Sequence, residues 1–189
     1  PWFFDVTDFG IFIGLSRPLC GYGKINTERE IEYYNLVNKN PVTTGICHEN
    51  IIFLGHSDGN VSIIGDKIEE RKNTKNVPVK CFEYHKGVVI GLESGNIYSE
   101  NGWEIDLQKE LDVISSAPSN NEIDYLWASL WDGQSSIHSI DNDSGEIKFG
   151  IQHSSRIRKI ICSNDFIALG DSEGKIFVIE NNVLQRRLK

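Results

Sequence analysis

The chain has 189 residues, of which 39% are hydrophobic and 24% are charged, and its formal net charge at pH 7 is −8. This composition is ordinary for a globular protein that buries a core, and no stretch approaches the run of about 18 apolar residues that a membrane span needs. The first residues lack the basic and apolar regions of a signal peptide, so we expect a soluble intracellular protein, either cytoplasmic or nuclear.

A repeating hairpin pattern begins in residues 1–40, which hold its most irregular copy. An apolar run ends at Gly14, and the pattern resumes at Lys24 after a loop about five residues longer than in the later copies. The chain contains no methionine, not even at its first position. We therefore expect it to be processed or excised from a longer chain.

Residues 41–77 show the pattern most clearly. Two apolar runs rich in β-forming residues, 51–54 and 61–64, flank a turn in which Gly59 can adopt the positive φ that tight hairpins need. Further strands are predicted at 42–47 and about 67–72, and the mixed charge of the last is typical of an exposed outer strand. An isolated hairpin is only marginally stable in water, so this pattern predicts packing against its own repeats.

The pattern returns in residues 78–116, 117–154 and 155–189. A small residue ends the first hairpin strand of each copy at spacings of 41, 36, 38 and 41 residues. These residues are Gly14, Gly55, Gly91, Ser129 and Gly170. The positions three and two residues earlier are apolar throughout, which indicates strands covered on both faces, as in stacked sheets. The first column is Ile11, Ile52, Val88, Leu126 and Ile167, and the second is Phe12, Phe53, Val89, Trp127 and Ala168.

Repeats of this length resemble the WD-repeat and WD-like β-propeller families, in which a four-stranded antiparallel blade recurs about every 40 residues. The resemblance implies an all-β, propeller-type domain over residues 1–189 with about five blades, either closed on itself or part of a larger propeller. No Gly-His pair precedes a first strand, so the Asp-His-Ser/Thr-Trp network of the family is not assigned to residues of this chain. The family's Trp-Asp pair is represented only by Gly65-Asp66, Ile140-Asp141 and Ile179-Glu180.

Trp131 is the residue that we most expect to contact a partner. Its equivalents in other repeats are the polar turn residues Ser57, Glu93 and Ser172, so its position predicts an exposed hairpin turn. Exposed tryptophan is over-represented among the residues that dominate binding energy. Trp127 belongs to an apolar column and is expected in the core. The alternative for Trp131 is a ring folded back over a neighbouring blade.

The end of the chain is basic. Residues 152–189 hold seven Lys or Arg residues against four acidic residues, a net charge of +3. Arg156, Arg158 and Arg187 are candidates for docking an acidic partner or a phosphate if they share one face. Alternatively, they are solvent-facing strand residues and a frayed end. The net charge of the whole chain disfavours nucleic acid as a partner, although the basic last repeat leaves it open.

No metal or cofactor is predicted, because the five histidines and four cysteines lack metal-ligand spacing. Isolated cysteines of this kind are expected to be small core residues, and Cys47 and Cys162 occupy the same repeat position. The sequence contains no nucleophile elbow or phosphate-binding loop motif. A propeller hydrolase would need converging carboxylates, whereas Asp58 and Asp132 are interpreted as turn residues.

The sequence therefore favours a non-catalytic protein–protein interaction scaffold, a subunit or domain of a larger assembly. Propellers leave loops on two flat ends, an arrangement suited to holding other macromolecules. A small-ligand or carbohydrate-binding propeller is the alternative, and a propeller hydrolase is a weaker one. Carbohydrate binding would need equivalent aromatic residues in each repeat, and Trp127 and Trp131 have no tryptophan counterparts in the others.

Overall fold

The computed structural model describes residues 3–7, 10–14, 21–25, 28–73, 75–116, 125–163 and 166–180, and for residues 3–7 and 10 only the backbone. The regular structure of these residues consists of β-strands, as the sequence predicts. No helix long and apolar enough to cross a membrane occurs within these ranges.

Nineteen described strands form five antiparallel sheets, numbered here in chain order. The first sheet contains β1 (Phe3–Thr7), β2 (Gly10–Gly14), β3 (Gly21–Ile25) and β4 (Ile31–Asn35), and the second contains β5 (Val42–His48), β6 (Ile51–His56), β7 (Val61–Ile64) and β8 (Ile68–Arg71). The third contains β9 (Val79–Tyr84), β10 (Val88–Leu92), β11 (Asn96–Ser99) and β12 (Glu104–Asp106). The fourth contains β13 (Glu110–Ser116), β14 (Tyr125–Trp131), β15 (Ser135–Asp141) and β16 (Ile147–His153), and the fifth contains β17 (Ile157–Cys162), β18 (Phe166–Asp171) and β19 (Ile176–Glu180).

The chain divides into two compact units, Pro1–Phe82 and Glu83–Lys189. The first and second sheets lie in the first unit, and the fourth and fifth sheets lie in the second. That all five repeats form one domain stays a prediction.

The strands of the second repeat agree with the sequence prediction, but the predicted boundary between residues 116 and 117 is wrong. Strand β13 pairs with β14, so it opens the fourth sheet rather than ending the third repeat. In the second sheet a short turn joins the first two strands, whereas residues 117–124 separate β13 from β14. A first strand placed as far before Ser129 as β5 lies before Gly55 is therefore misplaced. The predicted last strand at 183–188 lies outside the described residues.

Within each unit, residues of the apolar columns pack between two neighbouring sheets. Phe53 and Trp127 are buried, as predicted, while Ile11 and Ala168 are half-buried. The second column points towards the sheet that follows in sequence: Phe12 packs with residues of the second sheet, and Trp127 packs with residues of the fifth. We call this side of a sheet its forward face and the opposite side, which carries the first column, its backward face.

The hairpin turns of four repeats place glycine at positive φ, as the sequence predicts. The values are +86° for Gly59, +94° for Gly95, +99° for Gly133 and +80° for Gly174. The turn carboxylates also hold the segment that leads into their own sheet. Asn40 Nδ2 donates to Asp58 at 2.8 Å, Lys109 Nζ lies 2.7 Å from Asp132, and Ser155 Oγ donates to Glu173 at 2.7 Å. Each of these contacts links a hairpin turn to the residues just before the first strand of the same sheet.

Candidate functional site

Arg156, one of the basic residues that the sequence singled out, is the centre of a charged cluster. It lies just before β17, and its Nε is 2.8 Å from Asp112 Oδ2 while one terminal nitrogen contacts Asp112 Oδ1 at 2.6 Å. The guanidinium also pairs with Glu110, and its central carbon lies 5.5 Å from the centroid of the Trp131 ring. The hydrogen bonds that Arg156 donates to Asp112 and Glu110 raise the pKa of Arg156, although burial acts the other way. We call these four residues the Arg156 cluster.

Strand β13 supplies the acidic side of the Arg156 cluster. Glu110 lies directly opposite Trp131 in the β13–β14 ladder. Asp112 lies where the register shifts between Leu111 and Val113, and a bulge of this kind redirects the side chain of the extra residue. The Asp112 carboxylate is almost completely buried, which makes its pairing with arginine energetically important. The cluster thereby ties the start of the fifth sheet to the first two strands of the fourth.

The structure corrects the expected location of Trp131. It is the last residue of β14 rather than a turn residue, because the β14–β15 ladder continues through Leu130 opposite Ser136 and Trp131 opposite Ser135. Its side chain is half-buried against Arg156. Ser57, Glu93 and Ser172 stand at the same distance before the turn glycine, but each lies just beyond the end of its strand. Contact of Trp131 with a partner stays a prediction.

The predicted basic surface is only partly assembled. Arg158 is exposed, with one terminal nitrogen 3.9 Å from Asp112 Oδ1, so it lies near Arg156 at the same carboxylate. Arg187 lies outside the described residues. The two carboxylates beside Arg156 offset its charge, so it adds little free positive charge to this surface. Partner binding through Arg156, Arg158 and Arg187 stays a prediction.

The turn carboxylates have local structural partners, as the sequence interpretation holds. Asp58 accepts hydrogen bonds from the side chains of Asn38, Asn40 and Asn60 and from the backbone N–H of Asn60. The hydrogen bond from Lys109 lowers the pKa of Asp132. These interactions hold both carboxylates in place as acceptors for the turn and for the residues that lead into the same sheet.

Sequence reasoning missed a histidine–aspartate pair in the second unit. His153 Nε2 lies 3.2 Å from the buried Asp171 carboxylate, and the His153 ring meets Phe177 edge-on with centroids 4.5 Å apart. Burial raises the pKa of Asp171, but the backbone N–H of Lys175, His153 and the backbone N–H of Glu173 together lower it. The available signal was positional, because His153 ends β16 shortly before β17, the first strand of the fifth sheet, and Asp171 directly follows Gly170.

His56 is buried at the end of β6 and has a partner at each ring nitrogen. Nδ1 lies 3.0 Å from the carbonyl oxygen of Asn40 and Nε2 lies 2.8 Å from Ser62 Oγ. The carbonyl needs a donor, so Nδ1 carries the proton of the neutral ring and the Ser62 hydroxyl donates to Nε2. Burial lowers the pKa of His56, and the Asn40 carbonyl opposes that effect only in part.

The pKa of His56 predicts a loss of stability as the pH falls from 7 to about 5.5. Below about pH 6.5 the unfolded chain protonates this residue more readily than the folded chain does, because burial lowers the pKa of His56 in the folded state, so protons favour unfolding. We expect the free energy of unfolding, measured in urea, to fall less steeply with pH in His56→Gln than in the parent chain. His48→Gln is the control, since the His48 side chain is 35% exposed. Equal pH slopes for the parent chain and His56→Gln would contradict this prediction.

Two cysteines pack beside the core as the sequence predicts. Cys47 and Cys162 are half-buried against the apolar clusters of the first and second units. Burial raises the pKa of the Cys162 thiol to about 12, so this group stays protonated at neutral pH. Cys81 is also half-buried, and Cys20 lies outside the described residues.

A cavity of about 300 Å³ opens in the first unit between the first and second sheets. Its wall includes Tyr22 and Tyr34, whose rings stack with centroids 4.8 Å apart. In the first sheet, Tyr22 pairs with Gly14. In the other four sheets, the residue that pairs with the equivalent of Gly14 is aliphatic: Val61, Ile97, Ile137 and Ile176. The aromatic residue at this position is therefore particular to the first repeat. A carbohydrate-binding propeller would need equivalent aromatic residues in every repeat, and this cavity does not meet that requirement.

Three solved structures with a similar fold are propeller domains. A chain of the Mitotic Checkpoint Complex superimposes with a TM-score of 0.78 at 14% identity, over 96% of this chain and 60% of that one. The WD40 beta propeller domain of Doa1 gives 0.72 at 10% identity, over 96% and 64%. BBS1N, solved in complex with ARL6DN, gives 0.67 at 9% identity, over 89% and 59%.

This chain shares its fold with β-propeller domains. It spans less than two thirds of the length of these three chains. No protein-family model matches the sequence, and no curated protein matches it either. The likeness is therefore one of fold.

Proposed function

We propose that this chain is a non-catalytic protein–protein interaction scaffold built on WD40-like propeller sheets, and that it is a subunit or domain of a larger assembly. The observation that carries the proposal is the shared fold with propeller domains, two of which were solved within protein complexes: the Mitotic Checkpoint Complex and BBS1N with ARL6DN. Rigid sheets that present loops and strand ends at two rims suit the binding of other proteins.

The Arg156 cluster is the candidate contact surface. Trp131 is half-buried, so its ring packs against Arg156 on one side while part of it faces solvent. The hydrogen bonds that Arg156 donates to Asp112 and Glu110 hold Arg156 in place, and this keeps the Trp131 ring in one orientation. A rigid aromatic ring beside the exposed Arg158 offers both apolar area and positive charge to a partner.

Trp131→Ala is expected to reduce the retention of partner proteins while the chain stays folded. The lost stack with Arg156 should lower the free energy of unfolding by only about 1 kcal/mol, because partly exposed cation–π contacts contribute about that much. Truncation of a tryptophan that dominates an interface weakens binding by about 2 kcal/mol or more. Parent and variant chains are immobilised, and the proteins that each retains from cell lysate are quantified by mass spectrometry. Urea unfolding of both chains measures the change in stability.

Ile147→Ala is the matched control, because Ile147 is an exposed apolar residue on the outermost strand of the same sheet. It should leave the retained proteins unchanged. Equal retention by the parent chain and Trp131→Ala would remove Trp131 from the proposed surface. Turnover of a substrate in a broad hydrolase screen, abolished by a single Asp or Glu substitution, would overturn the non-catalytic role itself.

A further inference from the structure

The cavity of about 300 Å³ in the first unit has walls that come from two packed sheets. Phe12, Tyr22 and Lys24 line it from the forward face of the first sheet. Ile52 and Ile64 line it from the backward face of the second. Both walls belong to the same unit, so the cavity lies within sheet packing that this chain forms by itself. Its volume is at the lower end of the range for small-ligand pockets, about 300–1,000 Å³.

The matching space between the fourth and fifth sheets is filled by an aromatic ring. On the forward face of the fourth sheet, Phe149 lies in line with Trp127 two strands away, and both side chains pack into the core of the second unit. The matching residues of the first sheet are Glu32 and Phe12, with Lys24 between them. Glu32 is exposed, so the first sheet leaves space where the fourth packs a ring. An aromatic ring supplied by a ligand can fill that space.

The aromatic side of the cavity is held in place before any ligand binds. The rings of Tyr22 and Tyr34 stack almost in parallel, with an interplanar angle of 10°. The Tyr34 hydroxyl donates a hydrogen bond of 2.6 Å to Glu32 Oε2, which fixes the outer ring of the stack. Tyr22 is buried and Tyr34 is 38% exposed, so the stack runs from the interior of the cavity to its mouth. A planar ring can therefore enter along a preformed aromatic surface.

Lys24 gives the cavity a positive charge. Its Nζ lies 5.9 Å from the centroid of the Phe12 ring, and the residue is half-buried. An ammonium group in such a site attracts a carboxylate more strongly than it would in bulk water. Glu49 also lines the cavity, but its side chain is 79% exposed and lies 3.9 Å from His48, so water weakens its repulsion of an anionic ligand. The cavity thus combines apolar walls with one partly buried cation.

We propose that this cavity binds a planar aromatic carboxylate, whose ring packs against the Tyr22–Tyr34 stack and Ile52 while its carboxylate pairs with Lys24. Two sources offer this chemistry: a free aromatic acid, and the C-terminal residue of a protein that ends in an aromatic side chain. The site is separate from the Arg156 cluster, and it does not depend on the proposed scaffold function.

NMR titration of the isotope-labelled parent chain with N-acetyl-L-tryptophan and N-acetyl-L-tryptophanamide tests the proposal. The two probes share the indole ring, and only the first carries a carboxylate. We expect both to shift backbone amide signals of the first and second sheets, and the acid to bind at least about tenfold more tightly than the amide.

Four variants separate the contributions of ring and charge. Lys24→Met keeps the apolar stem, so it should remove the preference for the acid and leave binding of the amide unchanged. Glu32→Phe places a ring where the fourth sheet has one and should weaken binding of both probes at least about tenfold. Glu49→Gln should strengthen binding of the acid, because it removes a nearby negative charge. Lys72→Met, which removes an exposed lysine of the same unit outside the cavity wall, should bind both probes like the parent. Urea unfolding of each variant checks that it is folded.

A longer peptide that ends in tryptophan distinguishes the two sources. Binding as tight as that of N-acetyl-L-tryptophan supports the site as one for a protein C-terminus, and loss of binding in the longer peptide supports it as one for a free acid. Absence of shifts with either probe, equal affinity of the parent chain for acid and amide, or an undiminished preference for the acid in Lys24→Met would each overturn the proposal.

Discussion

Phe53→Ala is expected to lower the free energy of unfolding by about 3–5 kcal/mol, the range for removing an aromatic ring from a packed core. Phe53 is 7% exposed and lies on β6, a central strand that pairs with β5 on one side and β7 on the other. The surrounding sheets cannot collapse onto the vacated volume without disturbing both ladders. Urea unfolding should show a lower midpoint with an unchanged slope, which reports a change in stability alone.

Two further substitutions calibrate the Phe53 result. Phe53→Leu keeps most of the apolar volume and should cost clearly less than Phe53→Ala. Ile51→Ala truncates a side chain on the same strand at a position that is 39% exposed. It should therefore lower the free energy of unfolding by less than Phe53→Ala or Phe53→Leu. A loss below about 1 kcal/mol for Phe53→Ala would show that the second apolar column contributes little to the core.

Gly59→Val is expected to destabilise the chain by at least about 2 kcal/mol, for two separate reasons. Gly59 adopts a φ of +86°, in the left-handed region that a β-branched residue occupies only with strain. A Cβ atom at this position would also lie 2.5 Å from the carbonyl oxygen of Val77, which is backbone and cannot move aside cheaply. The free energy of unfolding in urea measures the combined cost.

Gly174→Val separates these two reasons. Gly174 occupies the same hairpin position in the fifth repeat, with a φ of +80°, but a Cβ there would meet no atom within 4 Å. This variant should show only the conformational cost of about 1–2 kcal/mol. Equal losses for Gly59→Val and Gly174→Val would mean that the Val77 carbonyl shifts freely and that the overlap adds nothing.

The hairpins and their buried columns could be predicted from the sequence because they depend on local chemistry. Alternating turn glycines and apolar runs specify strands without reference to distant residues, and burial of Phe53 and Trp127 follows from the requirement that both faces of a strand be covered. The same local reasoning identified Gly59 as a position of positive φ. Local reasoning misplaced β13 because the alignment assumed the same number of residues between the first two strands of every repeat. Residues 117–124 make this separation longer in the fourth sheet.

Interactions between distant residues were decided only by the tertiary structure. Arg156 meets Asp112 across 44 positions of sequence and His153 meets Asp171 across 18, and no local pattern distinguishes these partners from other charged residues. Trp131 looked like a turn residue because the sequence does not reveal that its ladder continues for two more pairs.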